Sequence, residues 1–230
     1  MTFRLDDIVP WGRSFDEYVA MFALDDDDLS KTILGCGDGP AAFNAGMARR
    51  GAAMISVDPV YAFSADQIRS RISATYPTVV EQIRENMDTF VWDTCQSPEE
   101  IGRLRLQAMQ EFLDDFPVGL RDGRYQTAEL PTMPFADGEF ELALCSHLLF
   151  LYADRLSVQF HLDSLRELAR VSAEVRVFPL LDLDASPSAH LGPVTAVLRA
   201  DGYRVRVERV PYELQKGGNE MLRVEQRADT

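Results

Sequence analysis

Cysteine is scarce in this chain of 230 residues: Cys36, Cys95 and Cys145 are the whole set, odd in number and widely spaced. No CxxC pair offers a metal or redox motif, and so few thiols cannot build the disulfide framework of a small secreted domain. A reducing, cytoplasmic setting is expected. Basic residues are also short, with 23 Lys plus Arg against 37 Asp plus Glu and a formal net charge of -14. That balance argues against nucleic acid, whose phosphates are held by Lys and Arg, and against an anionic membrane surface. No apolar run is long enough to span a bilayer. Met1 to Asp7 carries two acids and no apolar core, so no signal peptide is expected there. Repeats and low-complexity tracts are missing apart from Asp25 to Asp28, which reads as a solvated acidic loop. Only three histidines occur, and no Ser-His-Asp or metal-ligand pattern accompanies them.

What is present is an ordinary globular composition, long enough for one large domain over 1–230. Its most informative stretch is Ile33-Leu34-Gly35-Cys36-Gly37-Asp38-Gly39-Pro40. An apolar run leads into glycines at alternate positions, and helix formers follow from Ala41. This is the order strand, glycine turn, helix. Pro40 suits a first helical position, and Gly51 suits the residue that closes a helix. Beyond it, Met54-Ile55-Ser56-Val57-Asp58 is a second short strand with a carboxylate at its carboxyl end. In a βαβ unit that carboxylate lies beside the glycine turn and can accept hydrogen bonds from two ribose hydroxyls. The GxGxG spacing, with Pro40 where a dinucleotide fingerprint has its last glycine, fits S-adenosylmethionine enzymes better than nicotinamide dehydrogenases. A glycine turn can also serve strand-to-helix packing alone; Asp58 at its spacing is what points to a ligand.

Ahead of the turn, Ser14 to Phe22 reads as a helix with a capping box from Ser14 and Glu17. Arg13, just before it, is either a surface residue or one that reaches a cofactor carboxylate. After Asp58 the pattern becomes helical. Phe63 and Ser64 to Gln67 read as a staple and capping box, Pro77 as a helix restart, and Ser97-Pro98-Glu99-Glu100 as a third start. The segment 64–116 is therefore expected to be a helical insertion after the second strand. It is a candidate lid or substrate-pocket wall, with a packing elaboration or homodimer surface as the other reading. A short strand over 123–129, a buried strand over 140–146, a helix over about 157–171, a strand over 175–181 and a helix over 193–200 follow. Strands over 203–210 and 221–225 read as a terminal hairpin closed by the 216–219 turn. The expectation is α/β: a doubly wound, mostly parallel seven-stranded sheet.

Three segments, ILGCGDGP, ISVDP and LPTMPFADGEFELALCSHLLFL, resemble those of class I S-adenosylmethionine-dependent methyltransferases. The resemblance runs in element order from Thr32 to Glu225. It implies a Rossmann-like fold and S-adenosylmethionine as cofactor, with no metal. It also implies roles position by position. Gly35, Cys36 and Gly37 would lie against the methionine and ribose, and Asp58 would hold the ribose hydroxyls. Glu129 or Leu130 would meet the adenine edge, and Cys145 and Ser146 would border the sulfonium and the substrate. The family usually has an acid two positions before the first glycine; here Ile33 stands there, and Arg13, Tyr18 or Asp38 are the substitutes at hand.

Methyl transfer needs alignment above all, and a base only where the acceptor must lose a proton. His147, directly after the 140–146 strand, is placed to be that base or to pack in the turn. His161 and His190 read as structural, and Tyr152 and Asp154 as residues of the pocket or of the surface. No D/N-P-P-Y follows the strand, which argues against amino methylation of nucleobases. The function expected is methyl transfer to a small molecule or a protein side chain. The alternative is a catalytically silent cofactor-binding or interaction module.

Overall fold

A computed structural model describes residues 9–93 and 95–226. Met1 to Asp7 and Thr94 of the insertion therefore lie outside the described residues. Helix α1 (Phe15–Met21) opens the chain, with the Ser14–Glu17 capping box in place. Strand β1 (Ile33–Cys36), helix α2 (Phe43–Arg49) and strand β2 (Met54–Val57) follow. Two long helices come next, α3 (Ala65–Glu85) and α4 (Pro98–Arg121), and then strands β3 (Tyr125–Gln126) and β4 (Phe140–Ser146). Helix α5 (Val158–Val171), strand β5 (Ser172–Phe178), helix α6 (Leu191–Ala200), and strands β6 (Arg204–Arg209) and β7 (Glu220–Glu225) complete it.

The strands form one seven-stranded sheet in the order β3-β2-β1-β4-β5-β7-β6. Strands β1 to β5 pair in parallel, and β7 runs antiparallel to both β5 and β6. Alternation along each strand sends side chains to opposite faces. Leu34, Ala143 and Cys145 pack with Leu165, Leu168, Val194 and Leu198 of α5 and α6. Ile33, Leu142 and Leu144 pack on the other face with Tyr18, Met21, Phe43 and Met47 of α1 and α2. The sheet is thus covered on both sides. The chain reverses its direction of winding between β1 and β4, and the crevice at their carboxyl ends is where such sheets hold ligands.

Several boundaries differ from the sequence reading, each for a local reason. Helix α2 starts at Phe43, not Pro40, and has no side-chain cap. The Ala42 N–H donates instead to Arg13 O at 2.9 Å, and a Cβ at Gly12 would lie 2.0 Å from Pro40 O. Residues 40–42 are therefore packed against the segment ahead of α1. Gly51 does close the helix, at φ 71°. Pro77 does not restart a helix but sits inside the 21-residue α3. It and Ser73, whose carbonyl loses its partner, are exposed, so water can satisfy the freed group. The Ser64–Gln67 capping box is in place, while Phe63 stays 54% exposed.

Helix α4 continues past Phe116 to Arg121, and β3 shrinks to a two-residue strand. Strand β5 begins at Ser172, directly from α5. Asp28 is buried rather than solvated, because its carboxylate accepts Arg176 Nη1 and Nη2 at 2.8 and 3.0 Å. The hairpin of β6 and β7 is not closed by a four-residue turn. Leu214 to Lys216 instead pair with the segment after α3: Val91 N–H donates to Leu214 O at 2.8 Å, and Lys216 N–H to Thr89 O at 2.9 Å.

Candidate functional site

A cavity of about 940 Å³ lies at the carboxyl ends of the parallel strands. It is lined by Cys36 to Pro40 from the end of β1, Asp58 to Val60 after β2, Ser146 to Leu148 from the end of β4, and Phe178 and Pro179 from the end of β5. The connection before α1 contributes Trp11 and Arg13, and α3 and α4 contribute Val79, Ile83 and Ile101.

The glycine turn is shaped by two carboxylates. Asp58 Oδ2 accepts the Gly39 N–H at 2.9 Å, and its Oδ1 accepts the Val60 N–H at 2.8 Å. Burial raises its pKa against those two hydrogen bonds. Gly37 and Gly39 hold φ values of 69° and 54°, in the left-handed region that favours glycine. A Cβ at Gly39 would find only Asp58 Oδ2, at 4.0 Å, so the space above the turn is open. Gly35 is required for a different reason: a Cβ there would sit 1.9 Å from Asp38 Oδ2.

Asp38 is folded back beneath the turn. Tyr18 Oη donates to its Oδ1 at 2.8 Å and Ser56 Oγ to its Oδ2 at 2.6 Å. Asn44 Nδ2 donates in turn to Ser56 Oγ at 3.1 Å, and Arg124 to Asn44 Oδ1 at 2.6 Å. Burial pushes the Asp38 carboxyl up to about 7, the hydroxyl hydrogen bonds working against it and the Asp58 charge with it. Ile33 is fully buried in apolar surroundings.

A second buried cluster lies at Arg13. Its Nη1 donates to Trp11 O, while its Nε is buried with no hydrogen-bond partner. Burial, with Arg105 nearby, lowers its pKa to about 10. Arg105 of α4 is 2% exposed and donates to Glu17 Oε2. Tyr212, from the β6–β7 connection, donates to Glu17 Oε1 at 2.9 Å. Against its own burial, the Arg105 charge and hydrogen bond hold Glu17 down at about 2. Arg105 thus pairs with Glu17 beside the cavity, and the Arg13 charge nearby also favours the ionised carboxylate. Glu17 ties α1, α4 and the hairpin connection together.

His147 follows β4 at φ 54°, a conformation uncommon for a residue with a side chain. Its N–H donates to Phe178 O at 2.7 Å, which holds it there. Its Nδ1 shares a hydrogen bond with Ser146 Oγ at 2.8 Å. Burial, then the Arg13 and Arg105 charges, push its pKa well below the usual histidine value. The imidazole is therefore neutral at neutral pH. His161 and His190 are held by structure: His161 Nε2 accepts the Phe150 N–H at 3.0 Å, and His190 Nε2 bonds Leu156 O at 3.1 Å.

Of the residues singled out in the sequence, Arg13, Cys36, Gly37, Asp58, Glu129, Leu130, Ser146, His147 and Tyr152 line the one cavity. Gly35 and Cys145 do not: Gly35 faces Asp38, and Cys145 is fully buried among core side chains. Asp154 is exposed beside Arg155. Sequence reading missed Arg105 and Tyr212. Arg105 had a signal, since it interrupts the Ile101–Ala108–Phe112 apolar stripe of α4 with a charge. Tyr212 had none.

No protein-family model matches the chain. The uncharacterized protein MJ0045 of Methanocaldococcus jannaschii is 32% identical over 220 residues, covering 95% of this chain and 96% of that protein. The chain belongs to the family of that archaeal protein. Solved structures are similar to this chain at far lower identity. Magnesium protoporphyrin IX methyltransferase from Synechocystis PCC 6803, solved with bound S-adenosylmethionine, is 12% identical with a TM-score of 0.47, covering 93% of this chain and 78% of that one. A TehB-like methyltransferase from Corynebacterium glutamicum is 12% identical with a TM-score of 0.47, covering 96% and 89%. A methyltransferase from Aquifex aeolicus is 15% identical with a TM-score of 0.43, covering 91% and 87%. Among the described residues, no helix is long and apolar enough to cross a membrane.

Proposed function

We propose that this protein is an S-adenosylmethionine-dependent methyltransferase acting on a small molecule or a protein side chain. The observation that carries the reading is the unit made by Gly39 and Asp58, which sets an open glycine turn and a ribose-competent carboxylate side by side at the β1–β4 switch point. The residues present fit the cofactor. The turn has room above Gly39, Asp58 retains acceptor capacity, and the orphaned Arg13 Nε supports a carboxylate at that wall. Glu129 and Leu130 would border the adenine, Cys36 and Gly37 the ribose and methionine, and Ser146 the reacting end.

The cofactor supplies an activated methyl group when bound. The chain has to orient the acceptor and exclude water. The segment 64–116 serves as lid, since α3, α4 and the connection between them line the cavity, and α4 is pinned through Arg105 to Glu17. His147 orients the acceptor or takes its proton, though its depressed basicity favours orientation. A silent cofactor-binding module is the second reading, supported by that weak base.

Equilibrium dialysis with radiolabelled S-adenosylmethionine tests the proposal. One equivalent bound per chain is expected, and no retention at millimolar ligand would end it. Release of S-adenosylhomocysteine on addition of acceptor mixtures separates the enzyme from the silent module.

A further inference from the structure

The cavity is larger than a nucleoside cofactor needs. Ligand sites run from about 300 to 1,000 Å³, and about 940 Å³ puts this one near the top of that range. The surplus has walls of one character. Val79 and Ile83 of α3, Phe90 after it and Ile101 of α4 line it from the insertion, and Leu214 lines it from the β6–β7 connection. These five side chains also pack with one another.

Two backbone hydrogen bonds, Val91 N–H to Leu214 O and Lys216 N–H to Thr89 O, clasp the two segments together. Lys216 Nζ adds a third, to Asp88 O at 2.7 Å. A groove for a folded protein would have to lie open where this clasp crosses.

Charge limits the occupant further. Val79, Ile83, Phe90, Ile101 and Leu214 carry no polar or charged side-chain group. An ammonium group held among them would be buried without a counter-ion, and burial of such a charge is costly.

We infer that Val79, Ile83, Phe90, Ile101 and Leu214 wall a second compartment, which takes a small apolar molecule without positive charge and is shut by the clasp. This deepens the methyltransferase reading and rests on it for the statement that the molecule is the methyl acceptor. A lysine or arginine side chain of a protein is thereby disfavoured as acceptor.

The test uses the full chain with N-phenyl-1-naphthylamine, a neutral probe that fluoresces in apolar surroundings, titrated with and without saturating S-adenosylhomocysteine. One probe per chain should bind in the presence of S-adenosylhomocysteine. Ile83→Trp and Leu214→Trp should each weaken it at least tenfold by filling the space, with S-adenosylhomocysteine affinity by calorimetry within twofold of wild type. Leu214 lies on a half-buried connection, so its variant keeps the test alive if the helix variant misfolds. Decanol should displace the probe, and decylamine should do so at least tenfold less well. Absence of probe binding, equal binding by both folded variants, or better competition by the amine overturns the inference. S-adenosylhomocysteine binding without probe binding defeats the compartment alone. Probe binding that both variants abolish, without S-adenosylhomocysteine binding, keeps the compartment and defeats methyl transfer.

Discussion

Asp58 Oδ2 accepts the Gly39 N–H at 2.9 Å, so the carboxylate closing β2 and the glycine turn closing β1 form one hydrogen-bonded unit. Asp58→Ala should therefore act twice. Cofactor affinity should fall by about 1.5–3 kcal/mol, the range for hydrogen bonds to a charged group. Stability should fall as well, by about 1 kcal/mol, because the partly buried Gly39 and Val60 N–H groups lose their acceptor. Calorimetry with S-adenosylhomocysteine and urea unfolding measure the two effects, and unchanged affinity in a folded variant would show that the ribose is held elsewhere.

Asp38 predicts a pH dependence. Its folded pKa of about 7 lies above the unfolded value of 3.8. The folded state thus binds its proton more tightly, and stability falls as pH rises through that window. Asp38→Asn removes the effect while keeping the shape. The stability difference, wild type minus variant, should decrease by on the order of 4 kcal/mol between pH 4 and pH 8, about three units at about 1.4 kcal/mol each. A difference that stays flat over that range, measured by urea unfolding, would mean Asp38 is ionised at little cost.

The chain's order of strands and helices was legible because apolar period and punctuation agree at Ser14, Gly51, Ser64 and Ser97. The Asp58 relationship was legible because spacing in a βαβ unit is fixed by geometry. Pro77 misled because its cost depends on whether Ser73 O is exposed, which local sequence does not state. Glu17 was read as a cap and is one. Its bonds to Arg105 and Tyr212 join residues 88 and 195 positions away, and nothing local encodes such pairings. The packing of Asp38 against Gly35 was not legible either, since it is a contact that only the folded turn creates.

The clasp predicts a pattern of hydrogen exchange. The Val91 and Lys216 amides hold bonds at the protein's edge rather than in the sheet. They should exchange faster than the β4 amides and slow when S-adenosylhomocysteine binds, as a lid should. Protection equal to that of β4 with and without ligand would make the insertion a fixed packing element.

For His147, burial and two nearby arginines predict an imidazole still neutral as pH falls through 6.5, where an unperturbed histidine is half protonated. Nitrogen-15 spectra of the ring would report this directly. Half protonation at or above pH 6.5 would restore it as an effective base. If it remains neutral, His147→Asn should retain turnover within about tenfold, short of the 10²–10⁴ that general-base catalysis contributes.

The most direct test of the proposed function is thermal unfolding with S-adenosylhomocysteine and, separately, with NAD. A ligand bound only by the folded chain stabilises it by about 2.7 kcal/mol at one hundred times its Kd. The expected result is a rise in Tm that grows with S-adenosylhomocysteine concentration and no rise with NAD. No shift at millimolar S-adenosylhomocysteine, or a larger shift with NAD, would contradict the account.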